Sequence, residues 1–199
     1  MRAYQLMVLI SAVAVPGTST QRRQDAKQPV DVTIYLTGAD LIPNSENRIA
    51  MSTMKWMFAR IGIRMAAVNG QPKPSASPDG SVAILVVFTP DTSDGSHSEA
   101  LAYALPYGEA GTKITVLWDR IHYLGGGSER ESHLLAHVLA HEIGHVLKCT
   151  SGHAATGVMK AHWDAEDLDA MNKKALEFTA ADAYLIREGL IRLKERNIR

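Results

Sequence analysis

Apolar and polar residues change their spacing several times along the chain, and each change predicts an element. Val30 to Leu36 (V-D-V-T-I-Y-L) alternates apolar with polar, a period of two that predicts a first strand with one buried face. Pro43-Asn44-Ser45 supplies helix-start chemistry, and Ile49, Met54, Trp56, Met57 and Phe58 follow in a stretch too apolar to stand in water. The pattern predicts a helix over about Ser45 to Arg60, closed at Gly62, then a strand from Ile63 to Val68. Val82 to Phe88 is almost continuously apolar, the mark of a strand covered on both faces. Ala100 to Tyr107 predicts a short edge strand, and Ile114 to Trp118 another strand with Asp119 at its end. The Pro- and Ser-rich stretch Gln71 to Gly80 and the polar stretch Asp91 to Ser98, with His97, are surface loops.

From Ser128 onward the spacing becomes helical. Glu129 and Glu131 favour a helix N-terminus. Leu135, Leu139, Ile143 and Val146 then fall on one side of the wheel, with the histidines on the other. Further helices are predicted at about 164–172 and 179–197, the last with an Ile186, Leu190, Leu193 stripe opposite a basic, solvated face.

The chemistry concentrates between Leu134 and Met159 (LLAHVLAHEIGHVLKCTSGHAATGVM). His141 and His145 stand four apart, so on a helix both imidazoles reach one ion. Glu142 is rotated about 100° from His141, beside a metal-activated water, where it is placed as general base and not as ligand. A catalytic zinc needs three protein ligands and an open position. His153 is the predicted third ligand, with His162, Asp164 and Glu166 as the alternatives. His133 and His137 lie at the same four-residue step but lack a following Glu; they are read as supporting or structural. Cys149, between two predicted ligands, is read as a small, partly buried apolar residue.

This segment resembles the metzincin zinc metallopeptidases, whose signature is His-Glu-x-x-His-x-x-Gly-x-x-His followed by a Met-turn. His141, Glu142 and His145 match its first part, and Met159, in Gly-Val-Met, stands where the Met-turn residue would. The family's glycine is replaced by Lys148 and its third histidine by Ser151; Gly152-His153 arrives two residues later. Gly152 is the expected left-handed cap that turns the chain back after the helix. The resemblance implies an α/β (α+β) metzincin-like catalytic domain, with a mixed twisted sheet over a central zinc helix, then a Met-turn and C-terminal helices. It further implies Met159 as an apolar floor under the ligands. The stretch Ser98 to Pro106 would be the edge where an extended protein or peptide substrate pairs. A tyrosine that assists in some members is missing after Met159, where His162 is the available substitute. The function expected is zinc-dependent endopeptidase. A zincin of another lineage with a carboxylate ligand, or a binding protein with a structural zinc closed by His137 or Cys149, stays open.

Composition narrows the setting. The 199 residues suit one domain, expected over 29–199. Lys plus Arg and Asp plus Glu both total 21, leaving no net charge to draw nucleic acid or an anionic membrane. Met1-Arg2, the apolar Leu6 to Val15 and Ala12-Val13-Ala14 have the layout of a signal peptide, expected over 1–17. A polar lead-in at 18–28 follows, and the protein is expected to be secreted or periplasmic. The single cysteine excludes an intramolecular disulfide framework. Gly125-Gly126-Gly127 lacks the spaced glycines of a phosphate loop.

Overall fold

The computed structural model describes residues 29–72, 80–90, 100–108 and 111–197. The expected signal peptide, the lead-in, residues 73–79 of the first loop and the loop carrying His97 lie outside the described residues. The elements run β1 (Val32–Thr37), α1 (Asn44–Arg60), β2 (Met65–Asn69), β3 (Val82–Thr89), β4 (Ala102–Gly108), β5 (Gly111–Leu117), α2 (Trp118–Gly125), α3 (Ser128–Lys148), α4 (Ala165–Lys173) and α5 (Ala180–Asn197), with one 3-10 turn after β1. The strands form one sheet in the order β2-β1-β3-β5-β4. β1, β2, β3 and β5 are parallel, and β4 runs antiparallel to β5 at the end of the sheet. Parallel neighbours need a crossover, which α1 supplies between β1 and β2, while β4 and β5 follow one another closely enough to pair as a hairpin.

The alternation read in β1 is realised, with Val32, Ile34 and Leu36 all buried. β3 departs from the expectation of cover on both faces. Val82, Ile84, Val86 and Phe88 are buried, while the residues between them are only half-buried. Leu85 is flanked in register by Tyr35 and Lys113, so an apolar run can occupy a half-open face in a central strand. The buried face packs with Met54 and Phe58 of α1 and with Leu135, Leu139 and Ile143 of α3 in one cluster.

α3 spans 21 residues and is buried on almost every side, Leu134, Ala136, Val138 and Ala140 included. A helix enclosed in this way is the central strut of the fold. α2 was not legible as a helix. Trp118, Ile121 and Gly125 are buried, a helical spacing too brief to stand out beside the strand before it and the glycines after it. Gly126, with φ 65°, is its left-handed cap.

α5 buries Ile186, Leu190 and Leu193, the stripe expected. It crosses the end of α3 at Gly189, where a Cβ would lie 1.8 Å from the Leu147 carbonyl oxygen. Lys194 Nζ meets Asp31 Oδ1 at 2.6 Å, fastening the same helix beside β1. Among the described residues no helix is long and apolar enough to cross a membrane. Gly189→Ala is expected to force α5 away from α3 and to destabilise the protein by roughly 2–4 kcal/mol. Urea denaturation checks this, and an unchanged midpoint would refute the close crossing.

Candidate metal centre

The second half of α3 places His141 and His145 one turn apart, and the chain then reverses to bring His153 against them. The reversal occurs at Cys149, whose φ of 56° makes it the left-handed cap of α3. Its N–H donates to the Val146 carbonyl at 3.2 Å. Gly152, the expected cap, has no positive φ. The chain must turn at the first residue past the helix to return in time, so a non-glycine residue takes the strained position. Cys149 is also exposed, not partly buried as expected; a cap at a helix end projects its side chain outward, and its Sγ lies 3.8 Å from the Leu147 oxygen.

The imidazoles converge through their Nε2 atoms. His145 Nε2 is 3.0 Å from His141 Nε2 and 3.2 Å from His153 Nε2. His141 Nδ1 donates to the Val158 carbonyl at 2.8 Å, and His145 Nδ1 donates to the Thr150 carbonyl at 3.0 Å. A carbonyl can only accept, so both rings carry the proton on Nδ1 and a lone pair on Nε2. Lone pairs facing one another at 3.0 Å repel unless a cation lies between them. Two nitrogens on one tetrahedral zinc, each bonded at about 2.0–2.1 Å, stand about 3.3–3.4 Å apart. His141 and His145 therefore fit a zinc ion in donor type, tautomer and spacing, and His153 joins them in donor type and spacing. Burial lowers His141 to about 4, reinforced by repulsion from His145, His153 and Lys148; burial likewise lowers His145. Both rings are thus neutral near pH 7, as metal ligation requires.

Glu142 does not join the nitrogens. Its carboxylate accepts the backbone N–H of Ala104 on β4, and burial, opposed by that bond, raises it to about 7. Met159 is fully buried. It packs so close to Gly144 that a Cβ there would stand 2.6 Å from its sulfur. The turn it belongs to is tied at both ends. Ala154 N–H donates to the Met159 carbonyl at 2.7 Å, and Val158 N–H donates to the Glu177 carbonyl at 3.1 Å.

The other candidates lie elsewhere. Asp164 caps α4 in a reciprocal pair with Asp167 and also meets Lys160 Nζ at 2.7 Å. Glu166 is exposed in the first turn of that helix. His162 is exposed and lines the cleft beside His141, Glu142 and His153. Among the described residues no fourth His, Cys, Asp or Glu completes the cluster. His137 is fully buried, and both its ring nitrogens are engaged by backbone. Nδ1 donates to the His133 carbonyl at 2.6 Å, and Nε2 accepts the Leu176 N–H at 2.9 Å. Burial lowers His137 to about 4.

The cluster opens on a cavity of about 440 Å³ with an apolar wall of Leu101, Leu124, Val138, Trp163 and Leu168. Trp163 sets its ring edge-on to His141, centroids 5.5 Å apart. Sequence reasoning missed three contributors: the Ala104 N–H, Trp163, and Lys148, whose buried ammonium reaches the Gly152 carbonyl at 3.1 Å. Only Lys148 left a trace, as the departure from the family's glycine.

The fold matches that of an archaemetzincin from Methanopyrus kandleri, known from its crystal structure. The TM-score is 0.51 at 13% identity, over 84% of this chain and 98% of that one. At this identity the likeness is one of fold, and the chain has a metzincin-like fold with the mixed sheet that the motif's resemblance implied. No protein-family model and no curated protein matches the chain.

His137 gives a pH test. Its folded value of about 4 lies below the ordinary 6.5, so between these values the unfolded chain binds more protons. Its contribution is present above pH 6.5 and lost as pH falls towards 4, amounting to about 3 kcal/mol. In zinc-free protein, His137→Gln is expected to be less stable at pH 7 and to lose stability less steeply over that range. Parallel slopes for the variant and the wild type would rule this out.

Proposed function

We propose that the protein is a zinc-dependent endopeptidase, with His141, His145 and His153 as metal ligands and Glu142 as general base. The observation that carries this reading is the pair of Nε2 lone pairs facing at 3.0 Å, with the half-buried Glu142 carboxylate, apart from the cluster, on the same helix. Zinc bound there would polarise a substrate carbonyl and lower the pKa of bound water towards about 7. A structural zinc is usually closed by four ligands; here His137 and Cys149 are turned to other partners, which favours a site with an open position.

Glu142 takes a proton from the attacking water at a carboxylate oxygen as the water oxygen bonds to the scissile carbonyl carbon, and returns that proton to the amine nitrogen as the C–N bond breaks. The Ala104 N–H occupies one acceptor position and fixes the carboxylate's orientation. β4 ends the sheet beside α3, so an extended peptide can add along its outer edge. The apolar cavity receives one substrate side chain next to Glu142. Met159 and Gly144 keep the floor of the site closed to water. His162, at the cleft wall, is in place to assist a developing oxyanion. The apolar stretch Leu6 to Val15 supports export to a secreted or periplasmic location, where protein or peptide substrates would be met.

Zinc content and casein digestion, measured for wild type and Glu142→Gln, test the proposal. Both proteins are expected to bind zinc, while the variant loses roughly 10²–10⁴ in kcat/KM; equal activity would remove Glu142 from the chemistry. Leu168→Trp, which fills the cavity, is expected to keep its zinc and to shift cleavage towards small side chains at the bond, by about 10–200-fold in relative kcat/KM. An unchanged profile across a peptide library would show that the cavity does not receive the substrate.

A further inference from the structure

Lys148 stands where the metzincin pattern has glycine, and its side chain is turned inward, only 3% exposed. Its Nζ donates to Asp182 Oδ1 at 2.8 Å and to the Gly152 carbonyl at 3.1 Å. Gly152 immediately precedes His153. Asp182 is itself fixed by the start of α5. Thr179 Oγ1 donates to its Oδ2 at 2.6 Å, and the Asp182 N–H donates back to Thr179 Oγ1 at 3.1 Å. Burial raises Asp182, but the bonds from Lys148 and Thr179 outweigh it and hold the carboxyl below its ordinary value. The carboxyl is therefore ionised.

The loop that Lys148 reaches is tied at its ends, by the Cys149 N–H to the Val146 carbonyl and by the Ala154 N–H to the Met159 carbonyl, and lies in solvent between them. Cys149, Thr150, Ser151, Gly152 and His153 are all exposed, so no apolar burial fixes their positions. Two of their ties are local: the His145 ring to the Thr150 carbonyl, and the Gly152 N–H to Thr150 Oγ1 at 3.2 Å. Lys148 alone among these partners is anchored outside the loop and its neighbouring ligand. A buried ion pair is a poor stabiliser, since an apolar pair of the same volume often serves equally well or better. What an apolar pair cannot do is donate to the carbonyl next to His153.

We propose that Lys148 is a positioning residue for the third ligand, and that through Asp182 the seating of α5 sets the metal affinity of the site. This rests on the reading of His141, His145 and His153 as zinc ligands. The family's glycine is dispensable here because the longer return loop needs a donor from the helix end.

Zinc affinity, by competition with a chromophoric chelator on the full chain, tests this alongside the denaturation midpoint of the zinc-free protein. Lys148→Met is expected to weaken zinc binding roughly 10–100-fold, the range found when a group orienting a ligand is removed. Lys148→Arg keeps the charge and the pair with Asp182, and is expected to recover most of the loss. Ile34→Ala, a core truncation in β1, is the control, lowering stability without changing affinity. The proposal is overturned if Lys148→Met binds zinc as wild type does, or if Ile34→Ala weakens binding as much. Should Lys148→Met not fold, Asp182→Asn takes its place, with a weakening expected and wild-type affinity overturning. His153→Ala separates the two readings. If that variant keeps full affinity, the ligand assignment fails; if it loses affinity while Lys148→Met does not, only the role of Lys148 fails.

Discussion

Three imidazole nitrogens gathered within 4.8 Å of one another, two of them unprotonated, are an arrangement that no protein tolerates without reason. The lone pairs of His141 and His145 face at 3.0 Å because each ring's Nδ1 is committed to a backbone carbonyl. Those carbonyls belong to Val158 in the turn before Met159 and Thr150 in the return loop, so the tautomers depend on segments that follow the helix. Much of the remaining architecture keeps those two segments where the rings require them.

The stretch from Leu176 to Asp182 runs under the site and meets it four times. Leu176 N–H engages His137, and the Glu177 carbonyl takes the Val158 N–H. Phe178 packs on Phe58, with centroids 5.0 Å apart, and reaches the Gly144 position of α3. Asp182 holds Lys148. Single hydrogen bonds contribute only about 1 kcal/mol each, but these four contacts act on one short segment and fix the site's lower half together. Gly157, with φ 76°, lets the turn lie against the Glu177 carbonyl, where a Cβ would come within 2.3 Å.

The parts of this arrangement that repeat were legible in the sequence. The strand alternation of Val30 to Leu36, the wheel of Leu135, Leu139 and Ile143, and the Ile186, Leu190, Leu193 stripe each state a buried face through periodicity. The His-Glu-x-x-His spacing fixes how two rings share one helix face, whatever surrounds it. Single, non-periodic events were hidden. α2 is too short to display a period, and the cap fell on Cys149 because the return of the loop, not residue preference, decides where the chain turns. Lys148 read as the loss of a glycine, and only its burial beside Asp182 shows what replaced it. The Ala104 N–H carries no side-chain signal at all.

The proposed zinc site has three nitrogen ligands and one open position. X-ray absorption at the zinc edge, on protein loaded with one equivalent of zinc, tests it most directly. Three imidazole nitrogens at about 2.0–2.1 Å with one further light atom are the expected result. A sulfur at about 2.3 Å, a fourth imidazole, or failure to retain zinc would contradict it.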